Sequence, residues 1–140
     1  MPVELTRLIP DNAALLRRVA EDVFDDAVDP ERLAAYLAEP GHLLIVASEG
    51  DLVVGQCAAV VHRHIDQPTE LYIDNLGVTP DLRRQGIARR LVEAMFAWGR
   101  ELGCEEAWVA TEPDNVEARG LYASQGDGQA APVVMYEYEL

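Results

Sequence analysis

Residues 70–91, ELYIDNLGVTPDLRRQGIARRL, constrain the fold more than any other part of the chain. They begin as an alternating, β-rich run, break at Thr79-Pro80, and pass through Arg83, Arg84, Gln85, Gly86, Ile87 and Ala88 into an amphipathic helix. Ile87, Leu91, Met95, Trp98 and Leu102 give that helix its apolar stripe, and Gly103 is placed to end it. A helix start presents unpaired backbone N–H groups and the positive end of the macrodipole. A strand that feeds it through a basic, glycine-containing turn therefore predicts an anion cradle, and the expected guest is a phosphate-bearing cofactor.

The rest of the chain supplies alternating elements around this unit. Residues 3–8 alternate as a first strand closed by Pro10, and Asp11 is the expected N-cap of a helix reaching to about Phe24 through Leu15, Leu16, Val19, Ala20 and Val23. Asp25, Asp26 and Asp29 form an acidic connection, after which Pro30 opens a short helix through Leu33, Tyr36 and Leu37 that stops at Pro40-Gly41. Residues 42–48 and 52–61 are apolar, β-branched runs around Glu49-Gly50-Asp51 and read as a hairpin. Residues 107–111 are expected as a short buried strand, Asn115 as the N-cap of a helix to about Gln125, and residues 133–140 as a terminal strand by alternation. No repeat, linker or low-complexity tract interrupts the 140 residues, so one domain, 1–140, is expected.

Charge narrows the partners. The net charge is -14, from 25 acidic against 11 basic residues, which disfavours nucleic acid and anionic membranes and favours a cationic partner. Arg83, Arg84, Arg89 and Arg90 cluster into one basic spot on this acidic chain, which suits an anionic cofactor beside a cationic substrate. No apolar run approaches 18 residues and no cleavable signal is recognisable, so a cytoplasmic protein is expected. Cys57 and Cys104 read as reduced, packed thiols without a catalytic role. His42, His62 and His64 lack a Cys or carboxylate in ligand spacing and read as surface histidines, with no metal site expected.

The Arg83-x-x-Gly86-x-Ala88 spacing after Leu76-Gly77-Val78 resembles the acetyl-coenzyme A signature of the GCN5-related N-acetyltransferases (GNAT), and residues 115–122 resemble their second signature, with Asn115 and Tyr122 around the start of a short helix. The resemblance implies an α/β fold, a mixed central sheet with helices on both faces, and acetyl-coenzyme A as co-substrate. It implies that backbone amides from Arg84 to Arg89, with Gln85, Gly86, Ile87 and Ala88 among them, and the Arg83 and Arg84 side chains hold the pyrophosphate. Leu76 and Val78 would pair with the pantetheine, Asn115 would contact it or cap its own helix, and Tyr122 would hydrogen-bond the cofactor sulfur. The first two helices would wall the acceptor, and a homodimer is left open. Within the family, the chain is most similar to the gentamicin-type aminoglycoside 3-N-acetyltransferases, from about Phe24 to Tyr122 and most closely over residues 66–88.

Acetyl transfer to an amine needs a proton acceptor, because an ammonium of pKa about 10 is mostly protonated at neutral pH. In an uninterrupted strand Glu70, Tyr72 and Asp74 share the face opposite Leu71 and Ile73, which makes Asp74 the preferred base and Glu70 the second candidate. The 3-N enzymes place an aspartate directly before the strand-ending Leu, where this chain has Asn75. A one-residue slip sends a side chain to the opposite face unless a bulge intervenes, so either Asp74 takes over or the acceptor differs. The expected activity is N-acetylation of an aminoglycoside. Its alternatives are acetylation of a polyamine, small metabolite or protein lysine, and noncatalytic acyl-coenzyme A binding.

Overall fold

The two apolar runs around Glu49-Gly50-Asp51 pair as β2 (His42–Glu49) and β3 (Leu52–His62), with Gly50 at φ 63 supplying the left-handed turn conformation. In this computed structural model, which describes residues 2–140, they form the middle of a five-stranded sheet of order β1-β2-β3-β4-β5. β1 (Val3–Arg7), β2, β3 and β4 (Glu70–Val78) are antiparallel neighbours. β5 (Glu106–Val109) lies parallel to β4, a pairing that requires a crossover, and the amphipathic helix α2 (Ile87–Glu101) supplies it. The sheet is therefore mixed, as expected. By contact density the chain forms two units, one ending at Ala110 and the other running from Thr111 to Leu140.

In the first unit both faces of the sheet are covered. A Cβ on Gly55 would lie 3.3 Å from Leu91 Cδ1, and one on Gly99 would lie 2.9 Å from Leu71 Cδ2, so α2 packs on the face that carries Gly55, Cys57, Leu71 and Ile73. Leu91, Val92 and Met95 of α2 are fully buried there. The opposite face holds a second core of Leu8, Leu16, Val23, Leu44, Val46, Val53 and Ala58, with Leu33, Tyr36 and Leu37 of α1 (Pro30–Ala38) packed against it. Asp29 opens α1 by accepting from the backbone N–H groups of Glu31 at 2.9 Å and Arg32 at 3.3 Å, so it is a cap as well as part of the acidic connection.

Three expectations are corrected. The helix expected from Asp11 to Phe24 is a 3-10 helix over Pro10–Arg17, tied by Asn12, whose Oδ1 accepts from Ile9 N–H at 2.7 Å. It stops because the backbone around Val19 pairs with β3: Val53 N–H donates to Arg18 O and Ala20 N–H to Val53 O, both at 2.9 Å. Tertiary pairing thus overrides helical periodicity. The short strand expected to be buried is the edge strand β5, where Trp108 is 46% exposed. Residues 133–140 form no strand; Val133, Val134, Met135, Tyr136 and Tyr138 are exposed, and no described strand pairs with them. Alternation gives a strand only where a neighbouring edge accepts its N–H and C=O groups.

The second unit contains α3 (Val116–Ala123), which ends two residues short of the expected Gln125. No helix among the described residues is long and apolar enough to cross a membrane.

Candidate active site

The site begins with a register shift in β4. Ala58 of β3 stands opposite Asn75 and Ala59 opposite Ile73, so Asp74 is an extra residue in a β-bulge. The shift resolves the one-residue slip left open by the sequence. Leu71 and Ile73 face α2, Asp74 acts electrostatically on Tyr36 of α1, and Asn75 pairs with Ala58 of the α1-side core. Asp74 and Asn75 therefore share the face away from α2, and the apolar alternation resumes at Leu76 and Val78.

Two phenols converge on Asp74. Tyr72 is pushed above its usual pKa, first by burial, then by the Asp74 charge and its hydrogen bond to that carboxylate. Its ring stacks on Trp108 of β5, with centroids 4.2 Å apart and planes at 22°. The Tyr36 hydroxyl donates to Leu43 O at 2.7 Å and Ala59 O at 3.1 Å, the latter beside the bulge. Burial and the Asp74 charge push its pKa far up, so Tyr36 stays neutral. Sequence reading missed Tyr36 and Trp108 as site residues because Tyr36 arrives through the packing of α1 across β2 and β3 and Trp108 through the pairing of β5 with β4.

The same bulge marks the end of β5. The parallel register runs from Glu70↔Glu106 to Ile73↔Val109, so beyond Ile73 the β4 edge turned away from β3 has no partner strand among the described residues. Leu76 and Val78, the residues expected to hold pantetheine, lie on this open stretch.

The chain then turns into α2. Pro80–Leu82 make a 3-10 turn, Arg84 adopts φ 65, and Gly86 caps α2 at φ 80. Arg90 N–H, donating to Gly86 O at 3.0 Å, is the first to find a helical carbonyl, and no side chain caps the helix. The N–H groups of Ile87, Ala88 and Arg89 therefore open outward at the positive end of the helix. A Cβ on Gly86 would meet nothing within 4 Å, so no group from elsewhere in the fold packs against this position. These observations fit a phosphate group. Arg83 Nε donates to Val78 O at 3.1 Å and so braces the strand end. Arg84, Gln85 and Arg89 are exposed around the mouth.

On the α1 side an acidic segment crosses the sheet. Val23 O accepts from the buried Gln56 Nε2 at 3.1 Å and lies so close to Gly77 that a Cβ there would come within 2.2 Å. This segment lines an open cavity of about 460 Å³ with Leu16, Arg17, Ala20, Asp22, Asp25 and Asp26.

Glu70 is not brought together with Asp74. They stand four positions apart, about 13 Å along a regular strand, and the Glu70 carboxylate contacts His64 Nε2. The histidines at the end of β3 thus do have a carboxylate beside them, contrary to the expectation from spacing. In the second unit Asn115 Oδ1 accepts from Ala118 N–H at 3.0 Å, which makes it the cap of α3, while Tyr122 lies half-buried within that helix.

Comparison with known proteins places this geometry in context. Residues 10–127 match the acetyltransferase (GNAT) family. The aminoglycoside N(6')-acetyltransferase type 1 of Stenotrophomonas maltophilia is 26% identical over 137 residues, covering 94% of this chain and 90% of the relative. Its namesake from Salmonella typhimurium is 22% identical over 115 residues, covering 80% and 74%. The structure of an aminoglycoside acetyltransferase from an uncultured soil metagenomic sample shares the fold, with a TM-score of 0.84 at 24% identity, over 100% of this chain and 99% of that one. Both named relatives are 6′ enzymes, so the 3-N subtype that the resemblance from about Phe24 to Tyr122 suggested is not supported.

Proposed function

Since the chain belongs to the acetyltransferase (GNAT) family, whose acyl donor is acetyl-coenzyme A, we propose that it acetylates the 6′ amine of an aminoglycoside. The observation that carries this reading is the position of Asp74, whose carboxylate lies at the bulge on the acidic side of the sheet where the open β4 edge begins.

Acetyl-coenzyme A supplies a thioester-activated acyl group, and everything else falls to the chain. The open N–H groups of Ile87, Ala88 and Arg89, with Arg84 and the helix dipole, hold the pyrophosphate. Gln85 and Gly86 shape the turn that lets it approach. Backbone groups of Leu76 and Val78 pair with the pantetheine along the strand edge. Asp74 binds the acceptor ammonium and takes its proton, directly or through one water. Tyr72 and Tyr36 stay neutral and fix that carboxylate by donating to it or to the strands around it. Tyr122 returns a proton to the departing sulfur, whose pKa of about 8.5 demands only a weak donor. Asp22, Asp25 and Asp26 give a polycation its counter-charges, and the Tyr72–Trp108 stack offers aromatic surface to its sugar rings.

The test is a pair of acceptors. Neomycin has an amine at 6′ and paromomycin a hydroxyl there. Acetyl-coenzyme A-dependent release of thiol with neomycin and not paromomycin is the expected result. Equal turnover of both overturns the 6′ assignment, and turnover confined to spermidine or a lysine peptide overturns the aminoglycoside class.

A further inference from the structure

At the end of the sheet remote from the bulge, the hairpin from β3 to β4 brings together three side chains that the transferase reading does not require as a group. His62 closes β3, and its Cα partner across the antiparallel pair is Glu70, the first residue of β4. His64, two residues beyond His62, projects the same way, and the two rings lie 4.1 Å apart, tilted by 37°. His64 Nε2 contacts a Glu70 carboxylate oxygen. One ligand atom from each residue lies within 4.8 Å of the other two.

We propose that His62, His64 and Glu70 bind a divalent transition metal of the zinc type. Two imidazoles and one carboxylate are donors that zinc and its neighbours accept, and that magnesium and calcium, which prefer all-oxygen shells, do not. Ligand bonds of about 2.0–2.2 Å in a tetrahedron place donor atoms roughly 3.4 Å apart. Closing from 4.8 Å requires only side-chain rotation, chiefly of His62, which is exposed. A fourth position then opens to solvent on the His62 side.

The electrostatics favour a cation. Glu106 of β5 is the partner of Glu70 on its other side, so a second carboxylate stands next to the cluster. Arg63, the one cation between the histidines in sequence, acts on Cys104. The metal would join the end of β3 to the start of β4 across the loop over residues 63–69. It would thus stabilise the hairpin without touching the α2 turn. This proposal does not depend on the acceptor or on the role of Asp74.

The test uses the full chain after chelator treatment, titrated with Zn²⁺ by calorimetry and followed by thermal melting. One saturable site per chain is expected, with a rise in Tm that excess Mg²⁺ does not reproduce. His62→Ala and His64→Ala should each weaken binding by more than about tenfold. His42→Ala should leave it intact. Unchanged acetyl transfer by His62→Ala shows that this variant is folded. Absence of saturable binding, Zn²⁺ binding that survives both His62→Ala and His64→Ala, or equal binding of Mg²⁺ overturns the proposal.

Discussion

Asp74 accepts the phenolic hydrogen of Tyr72, two residues earlier on the same strand and on the same face, and the bulge that inserts Asp74 between the pairs at Ile73 and Asn75 brings Asn75 to that face as well. The carboxylate stays exposed while its neighbour Ile73 is buried. Asp74→Asn keeps the shape and removes the base. It should lower kcat by roughly 10²–10⁴, with acetyl-coenzyme A affinity unchanged by calorimetric titration. An equal loss in donor affinity would make Asp74 a part of the donor site instead.

Trp108 reaches the site only through its stack on Tyr72. Truncation to Ala removes an aromatic pair worth about 0.5–1.5 kcal/mol. The acceptor KM should therefore rise by about two- to thirteenfold while the KM for acetyl-coenzyme A stays constant. Steady-state kinetics with each substrate varied in turn decide this.

Gly86 is required by its φ of 80 and not by crowding, since a Cβ there meets no protein atom. Gly86→Val should therefore strain the turn by about 1–2 kcal/mol and abolish tight donor binding. Gly86→Asn, which tolerates the left-handed region, should retain most of it. If both variants lose binding equally, the side chain itself obstructs the phosphate.

Gly77 poses the opposite problem. Its missing Cβ leaves room for Val23 O, a backbone atom that cannot rotate away, at 2.2 Å. Gly77→Ala should destabilise by about 1–3 kcal/mol. Gly120→Ala, in the helix α3 with no atom within 4 Å of the new Cβ, should gain about 0.5–1 kcal/mol. Urea titrations of the two variants provide the comparison.

Alkaline stability follows from buried protons. Burial pushes the Cys57 thiol from 9.0 to about 12, and Tyr36 is shifted in the same direction. Above pH 9 the unfolded chain loses the Cys57 proton while the folded chain keeps it, so stability falls between about pH 9 and 12 and is unaffected by this thiol below that window. Cys57→Ala should flatten part of that slope in melts across pH. Native Cys57 should also resist thiol reagents at pH 8, where the less buried Cys104 reacts first.

Much of this was legible because it is local. β4 alternates, and residues 87–102 carry one apolar stripe, so strand, turn and helix could be read with their boundaries nearly right. The bulge was legible in principle: the apolar positions run 71, 73, then 76, 78, and a step of three inside a period of two is the mark of an inserted residue. What escaped depends on distant pairing. Val19 fits a helical stripe yet bridges to Val53, and Tyr36 meets the bulge only because α1 packs across β2 and β3. The clustering of His62, His64 and Glu70 likewise needs the hairpin register, which spacing alone does not supply.

The bulge also makes the length of β4 a trait distinct from its composition. Upstream of Asp74 the odd-numbered residues face α2, and downstream the even-numbered ones do. Deleting one residue between Ile73 and Leu76 would merge these two reading frames into a single alternation, leaving Leu71, Ile73, Leu76 and Val78 on the core side but only one residue, in place of Asp74 and Asn75, on the opposite face. Substitutions at Asp74 or Asn75 leave the frame intact. Variation among descendants of this chain should therefore tolerate exchanges at Asn75 far better than a change in the number of residues between Ile73 and Leu76.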